Sequence, residues 1–336
     1  MSDIEDVRGC PAVSVVIPTY KHAAFLGQTL QSVFAQTFRD YEIIVVNDAS
    51  PDGTDAVLRS LADSGRVRYV RLARNGGQAR ARNEGVALAR GAFIALLDDD
   101  DLWPPDKLVW QVAALRADAG AHVVYGRPET INETGAPTMA LDANGKPLWW
   151  LSPTATGDVY AAFTLRNQIV SPGQCLFRRS TLETLDEPPF DASLSGCDDW
   201  DLWLRLAEGG RFVFEDRIAL HYRLHATNAS RDRVQMRGGS LAVYRKHLRR
   251  NRNHPQRRAL LAQTFFNLRW NGAEYWLGQA LAQWRAGNRA EARAAARTGV
   301  ALCPAYLASR SFRRLLRGPW PAPTSSLSAS SSGGLT

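Results

Sequence analysis

Four consecutive carboxylates, Asp98 to Asp101, directly follow an apolar run that ends at Leu97. The run 93–97 predicts a buried strand, which places the aspartates at its carboxyl end, where open parallel sheets bind their ligands. Carboxylates this close together repel one another unless a cation lies among them. Hard divalent ions such as Mg²⁺ and Mn²⁺ bind one or two carboxylates together with substrate phosphates. The motif therefore indicates a metal site; the alternative is a solvated acidic turn that caps the helix after Trp103.

Two further features come after predicted strands or before predicted helices. Asp48 follows the run 41–46, where a carboxylate can accept a hydrogen bond from a base imide or a sugar hydroxyl; the alternative is an Asx-turn. Gly76 and Gly77 allow a tight loop into a helix that carries Arg82, and the start of that helix could favour phosphate. The sequence contains neither a Walker A motif nor G-x-G-x-x-G after its first strand, which excludes P-loop and dinucleotide-binding sites.

A second acidic group opens a later helix. Asp198 and Asp199 precede Trp200, and a carboxylate beside an exposed indole is suited to holding and deprotonating a sugar hydroxyl. The alternative is that the helix dipole stabilises both acids at the helix start. His225 lies in the stretch HYRLHATNAS, where spacing alone does not separate a ligand from a structural histidine.

The elements that would position these residues follow from the spacing of apolar residues. Over 12–97, β-branched runs alternate with stretches whose apolar residues recur at helical spacing, which is typical of βαβ units and a mainly parallel sheet covered by helices. Predicted strands cover 12–17, 41–46, 67–72 and 93–97, and predicted helices cover 24–34, 54–61 and 78–89. Further strands are predicted at 123–125, 173–178 and 211–215, with a loop or flap at 126–158.

The composition is that of a folded protein: of 336 residues, 45% are apolar and 22% are charged. No apolar run approaches the roughly 20 residues of a membrane span, and the acidic start lacks the apolar segment of a secretory signal. The four cysteines include no C-x-x-C pair, which argues against a zinc knuckle or a disulfide framework. We therefore expect a cytoplasmic protein.

Charge divides the chain into parts. Residues 231–317 hold 19 Lys and Arg against 3 Asp and Glu, although the whole chain has a net charge of only +8. This asymmetry indicates that the two parts differ in function. The predicted organisation is an N-terminal extension (1–11), an α/β domain (12–235), a basic helical extension with a tetratricopeptide-like helix pair (236–317) and a disordered tail (318–336).

The chain resembles the inverting glycosyltransferase family 2, nucleotide-sugar enzymes of the GT-A fold, over roughly 12–230. Six motifs carry the resemblance in order: VSVVIPTY, VVNDASPDGT, NGGQARARNEG, LLDDDDLWPPDKL, CDDWDLWLRL and YRLHATNAS. The resemblance implies a mixed, mainly parallel sheet flanked by helices, here with a C-terminal helical extension.

The resemblance also implies roles for individual residues. Asp199 is the general base, and Asp198, where the family usually has Glu, contacts the acceptor with Trp200. Asp100 binds Mn²⁺ or Mg²⁺, with His225 as a further candidate ligand. The donor nucleotide would contact Pro18, Thr19, Tyr20, Asp48, Arg82 and Asp98.

The implied reaction moves one sugar from a nucleotide-diphospho-sugar, with a UDP-sugar favoured, to a glycan or lipid-linked acceptor in cell-surface glycan or polysaccharide synthesis. Arg269 and Trp270 lack the Gln three positions earlier that processive synthases carry, so we expect a non-processive enzyme. Nucleic acid is not expected as a partner. For 240–317, peripheral contact with the inner face of the membrane, self-association and a solvated basic surface all stay open.

Two other function classes are weighed against this one. A catalytically inactive relative that binds nucleotide sugars or proteins would lack one of Asp48, Asp100 or Asp199, and all three are present. A nucleotidyltransferase would need a glycine-rich, basic loop after its first strand for the triphosphate, and the segment PTYKH is not such a loop.

Overall fold

The computed structural model describes residues 10–140, 154–194 and 196–317. Its strands form one mixed sheet in the order β3-β2-β1-β4-β7-β5-β6, with β8 paired to β5. The strands are β1 (Val13–Thr19), β2 (Tyr41–Asn47), β3 (Arg68–Arg71), β4 (Phe93–Leu96), β5 (Ala121–Ile131), β6 (Pro137–Thr138), β7 (Cys175–Arg178) and β8 (Arg211–Arg223). The helices that accompany the sheet are α1 (Ala23–Phe34), α2 (Thr54–Asp63), α3 (Gln78–Leu88), α4 (Lys107–Ala117), α5 (Tyr160–Leu165), α6 (Arg179–Glu183) and α7 (Asp198–Ala207).

The parallel half of the sheet follows from local sequence. β1 is buried along its whole length and pairs in parallel with both β2 and β4, while β2 pairs in parallel with β3. An apolar run that is buried on both faces has this central place in a parallel sheet. The loops after β1, β2 and β4 therefore start at one edge. The predicted mixed sheet flanked by helices is confirmed, as is the helical C-terminal region.

The second half of the sheet differs from the predicted elements. β5 extends to Ile131 because it pairs in parallel with β8, so 126–131 is strand rather than loop. β8 in turn continues to Arg223, eight residues beyond its predicted end at 215. The strand predicted at 173–178 begins only at Cys175, since Pro172–Gln174 form a 3₁₀ turn capped by Ser171. Part of the predicted flap, 141–153, lies outside the described residues.

The chain divides into two compact units between Lys246 and His247. The predicted boundary at 235/236 falls inside α8 (Arg233–Arg250), which crosses this division. The first part of α8 belongs to the sheet unit because its side chains are held there. The Tyr244 hydroxyl donates to the carbonyl of Thr164 at 2.6 Å, and the Lys246 ammonium donates to Asp191 at 2.7 Å.

The second unit is helical. It contains α9 (Pro255–Arg285), α10 (Arg289–Leu302), a 3₁₀ segment (Pro304–Ala308) and α11 (Arg310–Arg317). Its small core consists of Ala273, Leu277, Cys303 and Tyr306. α9 and α10 approach closely at Gly299, where a Cβ would lie 2.8 Å from the Leu277 side chain. The tetratricopeptide-like character of this pair stays a prediction, and the tail predicted to be disordered lies outside the described residues.

Among the residues that the structure describes, no helix combines the length and the apolar character that crossing a bilayer requires.

The turn after β2 holds an alanine in the left-handed region, with φ +57° at Ala49. An L-residue there costs about 1–2 kcal/mol, whereas glycine adopts this conformation without steric cost. We predict that Ala49→Gly raises the free energy of unfolding by about 0.5–1 kcal/mol, because relief of strain exceeds the entropy that glycine adds to the unfolded chain. Urea denaturation followed by circular dichroism measures the change.

The matched control is Ala113→Gly, at an exposed position inside α4. This substitution should lower the free energy of unfolding by about 1 kcal/mol. Equal destabilisation by both substitutions would contradict the argument that the backbone at Ala49 is strained.

Candidate active site

The four aspartates after β4 have different partners. The Asp98 carboxylate accepts from Arg82 at 2.7 Å and from Gln78 at 2.9 Å. Asp99 accepts from the backbone N–H of Tyr20 at 3.1 Å and lies 2.7 Å from Nδ1 of His22. A residue of α1 holds the backbone of the loop, since the Thr29 hydroxyl lies within 3.0 Å of the carbonyl oxygens of Asp99 and Asp101. The side chains are thus drawn apart by neighbours on several elements.

Asp100 is paired with a histidine. Nε2 of His225 lies 2.9 Å from Oδ2 of Asp100, and the His225 side chain is only 2% exposed. His22 lies on the other side of the same carboxylate, with Nδ1 3.9 Å from Oδ2. The nearest donor atoms of His22, Asp99 and Asp100 lie within 4.8 Å of one another, close enough to share one ion. Carboxylate oxygens suit Mg²⁺ and Mn²⁺, so Asp99 and Asp100 fit the predicted metal, and His22 would have to release a proton to bind the ion with them.

His22 supplies positive charge to the cluster. Its hydrogen bond with Asp99, aided by the nearby charges of Asp100 and Asp98, raises its pKa to about 9 although burial opposes this. His22 is therefore charged at neutral pH. No local pattern singles out His22, since nothing in the sequence indicates that it meets Asp99, 77 positions away.

Asp101 is buried, and burial together with the neighbouring charges of Asp100 and Asp98 raises its pKa well above its ordinary value. Its Oδ1 accepts from the backbone N–H of Arg223 at 2.8 Å. The Arg223 guanidinium donates to the Asp100 carbonyl at 2.6 Å. These contacts tie the end of β8 to the aspartate loop and bring His225 against Asp100.

Asp48 connects two loops at the same edge. Its two carboxylate oxygens accept from the backbone N–H groups of Gly76 at 2.8 Å and Gly77 at 2.7 Å. Asp48 therefore occupies these two N–H groups, and the prediction that the start of α3 favours phosphate stays a prediction. The buried carboxylate fixes the loop that leads into α3.

The three residues predicted to contact the nucleoside at the end of β1 are not equivalent. Pro18 and Thr19 are buried in the strand, and Thr19 takes part through its carbonyl, which accepts from the Asp48 N–H at 2.9 Å. Tyr20 follows the strand and is 36% exposed. Of the three, Tyr20 is the one whose side chain is exposed.

Arg82, predicted to contact the nucleotide, is enclosed between carboxylates instead. Its side chain is 4% exposed and donates to Asp98 at 2.7 Å and to Asp198 at 3.0 Å. A carboxyl group therefore lies on each side of the guanidinium. Asp198, predicted to contact the acceptor, is likewise buried and paired with Arg82.

Asp199 is the partly exposed carboxylate at the start of α7. Burial and the charge of Asp198 raise its pKa to about 7, against the opposing effect of Arg82. The Trp200 indole, predicted to be exposed, is only 5% exposed; it donates to the carbonyl of Phe163 at 2.8 Å and packs edge-on against Tyr244. Trp200 lies on the apolar face of α7, and its indole packs this helix against α5 and α8.

A family model described as "Glycosyl transferase family 2" matches residues 14–186. Among curated relatives, an uncharacterized glycosyltransferase of Rickettsia felis is 28% identical over 229 residues, which cover 66% of this chain and 36% of that protein. Chondroitin synthase of Pasteurella multocida is 29% identical over 235 residues, 68% of this chain and 22% of that protein. The chain spans about a third of the length of several curated relatives that it matches.

Solved structures share the fold. The mannosyltransferase PcManGT from Pyrobaculum calidifontis, in complex with GDP-Man and Mn²⁺, has a TM-score of 0.57 at 20% identity; the match covers 90% of this chain and 82% of that one. S. aureus TarS 1–349, in complex with UDP-GlcNAc, has a TM-score of 0.55 at 15% identity, covering 85% of this chain and 90% of that one.

Proposed function

The chain belongs to glycosyl transferase family 2, and we propose that it transfers one sugar from a nucleotide-diphospho-sugar to a hydroxyl group with inversion at the anomeric carbon. One observation carries the proposal. Asp199, a half-buried residue whose pKa is raised to about 7, directly follows Asp198, and the Arg82 guanidinium joins Asp198 to Asp98 of the acidic cluster. A sugar displacement requires a base on the acceptor side and a metal-type cluster on the donor side.

The donor side is formed by the loops after β1, β2 and β4. Asp100 and His225 would hold Mn²⁺ or Mg²⁺, with His22 and Asp99 beside them. When bound, the ion supplies Lewis-acid neutralisation of the charge that develops on the departing nucleoside diphosphate. Tyr20 would contact the nucleoside and Asp98 its ribose, while Asp48 shapes the pocket by holding the glycine loop. A UDP-sugar remains our favoured donor, in line with the UDP-GlcNAc bound in TarS.

The acceptor side is formed by the start of α7. Asp199 accepts the proton of the acceptor hydroxyl as that oxygen attacks the anomeric carbon from the face opposite the leaving group. A base with a pKa near the working pH is well matched to this task. One displacement inverts the configuration, so no second carboxylate has to act as a covalent nucleophile.

Turnover should depend on the charge state of Asp199. Since the carboxylate acts only when deprotonated, activity should rise with pH through about 7 and level off above it. Asp199→Asn should lower turnover by about 10²–10⁴-fold and remove this rise, because a positioned proton acceptor is lost. Product formation measured against pH for each variant tests this.

The comparison for the base is Asp198→Asn, which changes the neighbouring carboxylate and keeps the Asp199 side chain itself. A larger loss in Asp198→Asn than in Asp199→Asn would show that the two roles are exchanged.

Donor binding should depend on Asp100. Asp100→Asn should abolish transfer and the gain in UDP affinity that Mn²⁺ gives, since a neutral amide does not replace a carboxylate beside a diphosphate. Isothermal titration of UDP with and without Mn²⁺ measures this.

Asp106→Asn, which removes a surface ion pair with Arg217, is the matched control and should behave as wild type. Unchanged metal dependence in Asp100→Asn would contradict the assignment, and an absence of metal-dependent binding in the wild type would favour the inactive relative.

The acceptor is proposed to be a glycan or a lipid-linked glycan, with the helical unit on an anionic membrane surface. α11 carries Arg310, Arg313, Arg314 and Arg317, all exposed and recurring at the spacing of one helix face. Leu316, 47% exposed, lies beside them. Each basic residue near anionic lipid is worth about 1 kcal/mol.

Vesicle binding tests this surface in the full chain. Replacing the four α11 arginines by Gln should greatly reduce co-sedimentation with phosphatidylglycerol vesicles at low salt. The matched variant replaces Arg289, Arg293 and Arg297 of α10 and should bind more tightly than the α11 variant. Equal binding by the two variants would contradict a specific role for α11, and a change in oligomeric state instead would favour self-association.

A further inference from the structure

Arg82 occupies an unusual place, since one buried guanidinium serves both halves of the site. Nη2 donates to Asp98, after β4, and Nη1 donates to Asp198, at the start of α7. These carboxylates are 100 positions apart in the chain, and the first belongs to the donor side and the second to the acceptor side. The guanidinium also lies 5.3 Å from the centre of the Phe190 ring.

The surroundings of Arg82 fix it and the segment before α7 together. Asn83, the next residue of α3, accepts from the Phe190 N–H at 2.9 Å and donates to its carbonyl at 2.7 Å. α3 therefore holds the chain that leads into α7 through backbone contacts, and Arg82 holds the first turn of α7 through its side chain. The position of Asp199 depends on both.

Charge gives the bridge a second effect. Asp98, Asp198 and Asp199 are three carboxylates around one guanidinium, in surroundings where water screens them weakly. Arg82 favours the charged form of Asp199 and opposes the effects of burial and of Asp198. The same side chain thus sets where the base lies and how readily it accepts a proton.

We propose that Arg82 is a positioning residue that couples the two halves of the site: by bridging Asp98 and Asp198 it holds Asp199 in reach of a sugar placed by the aspartate loop. This inference rests on the proposed function. A lysine would keep the charge but, as a point charge on a flexible stem, would not reproduce the two-armed contact. Charge and geometry can therefore be separated by substitution.

The experiment compares Arg82→Met and Arg82→Lys in the full chain. Arg82→Met should lower turnover by about 10²-fold, the cost of a misplaced catalytic group, and shift the rise of activity with pH upward by about one unit or more, since a cation beside Asp199 is lost. Arg82→Lys should keep the wild-type pH dependence while turnover stays reduced. Circular dichroism confirms that each variant is folded, and Arg90→Met, which removes a surface ion pair with Glu42, is the matched control.

Several groups besides Arg82 affect the pKa of Asp199 and hence the pH dependence of turnover. Besides Arg82, the groups that interact electrostatically with Asp199 in the described residues are Asp198 on α7, Asp98 after β4, Cys197 before α7 and Cys175 on β7. The thiols of Cys175 and Cys197 have pKa values raised by burial, so they stay neutral through the range measured. A shift of the profile in Arg82→Met therefore measures the lost guanidinium together with the change that its loss causes in its two partners, Asp98 and Asp198.

A double-mutant cycle tests the bridge itself. If Arg82 acts through Asp198, the effects of Arg82→Met and Asp198→Asn on turnover should be strongly non-additive, whereas Arg82→Met and Arg90→Met should add. Additive effects in the first pair, or an unshifted pH profile in Arg82→Met, would overturn the inference. Failure of the proposed function would show differently, as a wild-type protein that neither binds nor transfers from any nucleotide sugar.

Discussion

Mutual repulsion among the carboxylates that follow β4 is the constraint on which the rest of the structure depends. Each carboxylate has a partner from a different part of the chain. Asp98 pairs with Arg82 on α3 and Asp99 with His22 before α1, while Asp101 and Asp100 contact Arg223 and His225 at and just after the end of β8. These elements are brought to one edge by the parallel strands. Assembly of the sheet and assembly of the site are therefore one event.

This arrangement links local charge to chemistry. The buried Asp101 has a raised pKa and serves as a structural anchor for the end of β8, which leaves Asp100 and His225 as a pair of ligand groups. At the start of α7, Asp199 has a pKa near neutrality because burial and Asp198 outweigh Arg82. The proposed donor site and the proposed base thus share one electrostatic environment, as expected where functional groups need shifted pKa values.

Sequence could predict the parts of the fold that depend on local pattern. The first four strands, and the positions of Asp48 and Asp98 after β2 and β4, followed from runs of apolar residues. β1 and β4 are buried along their whole length, and a run of that kind is recognisable from the sequence alone. The partners of Arg82 could not be predicted, because Asp198 reaches it only through tertiary packing. Trp200 was placed at the surface for the same reason: Phe163 and Tyr244, which bury it, lie on other helices.

The central claim is that the aspartate cluster binds a divalent ion and a nucleoside diphosphate together. Electron paramagnetic resonance of free Mn²⁺, titrated with the full chain in the presence and absence of UDP, tests it most directly. Binding of two ligands at one site is reciprocal, so UDP should tighten Mn²⁺ binding by the factor by which Mn²⁺ tightens UDP binding. The account predicts a clear gain in Mn²⁺ affinity when UDP is present. Mn²⁺ affinity that is the same with and without UDP would contradict it.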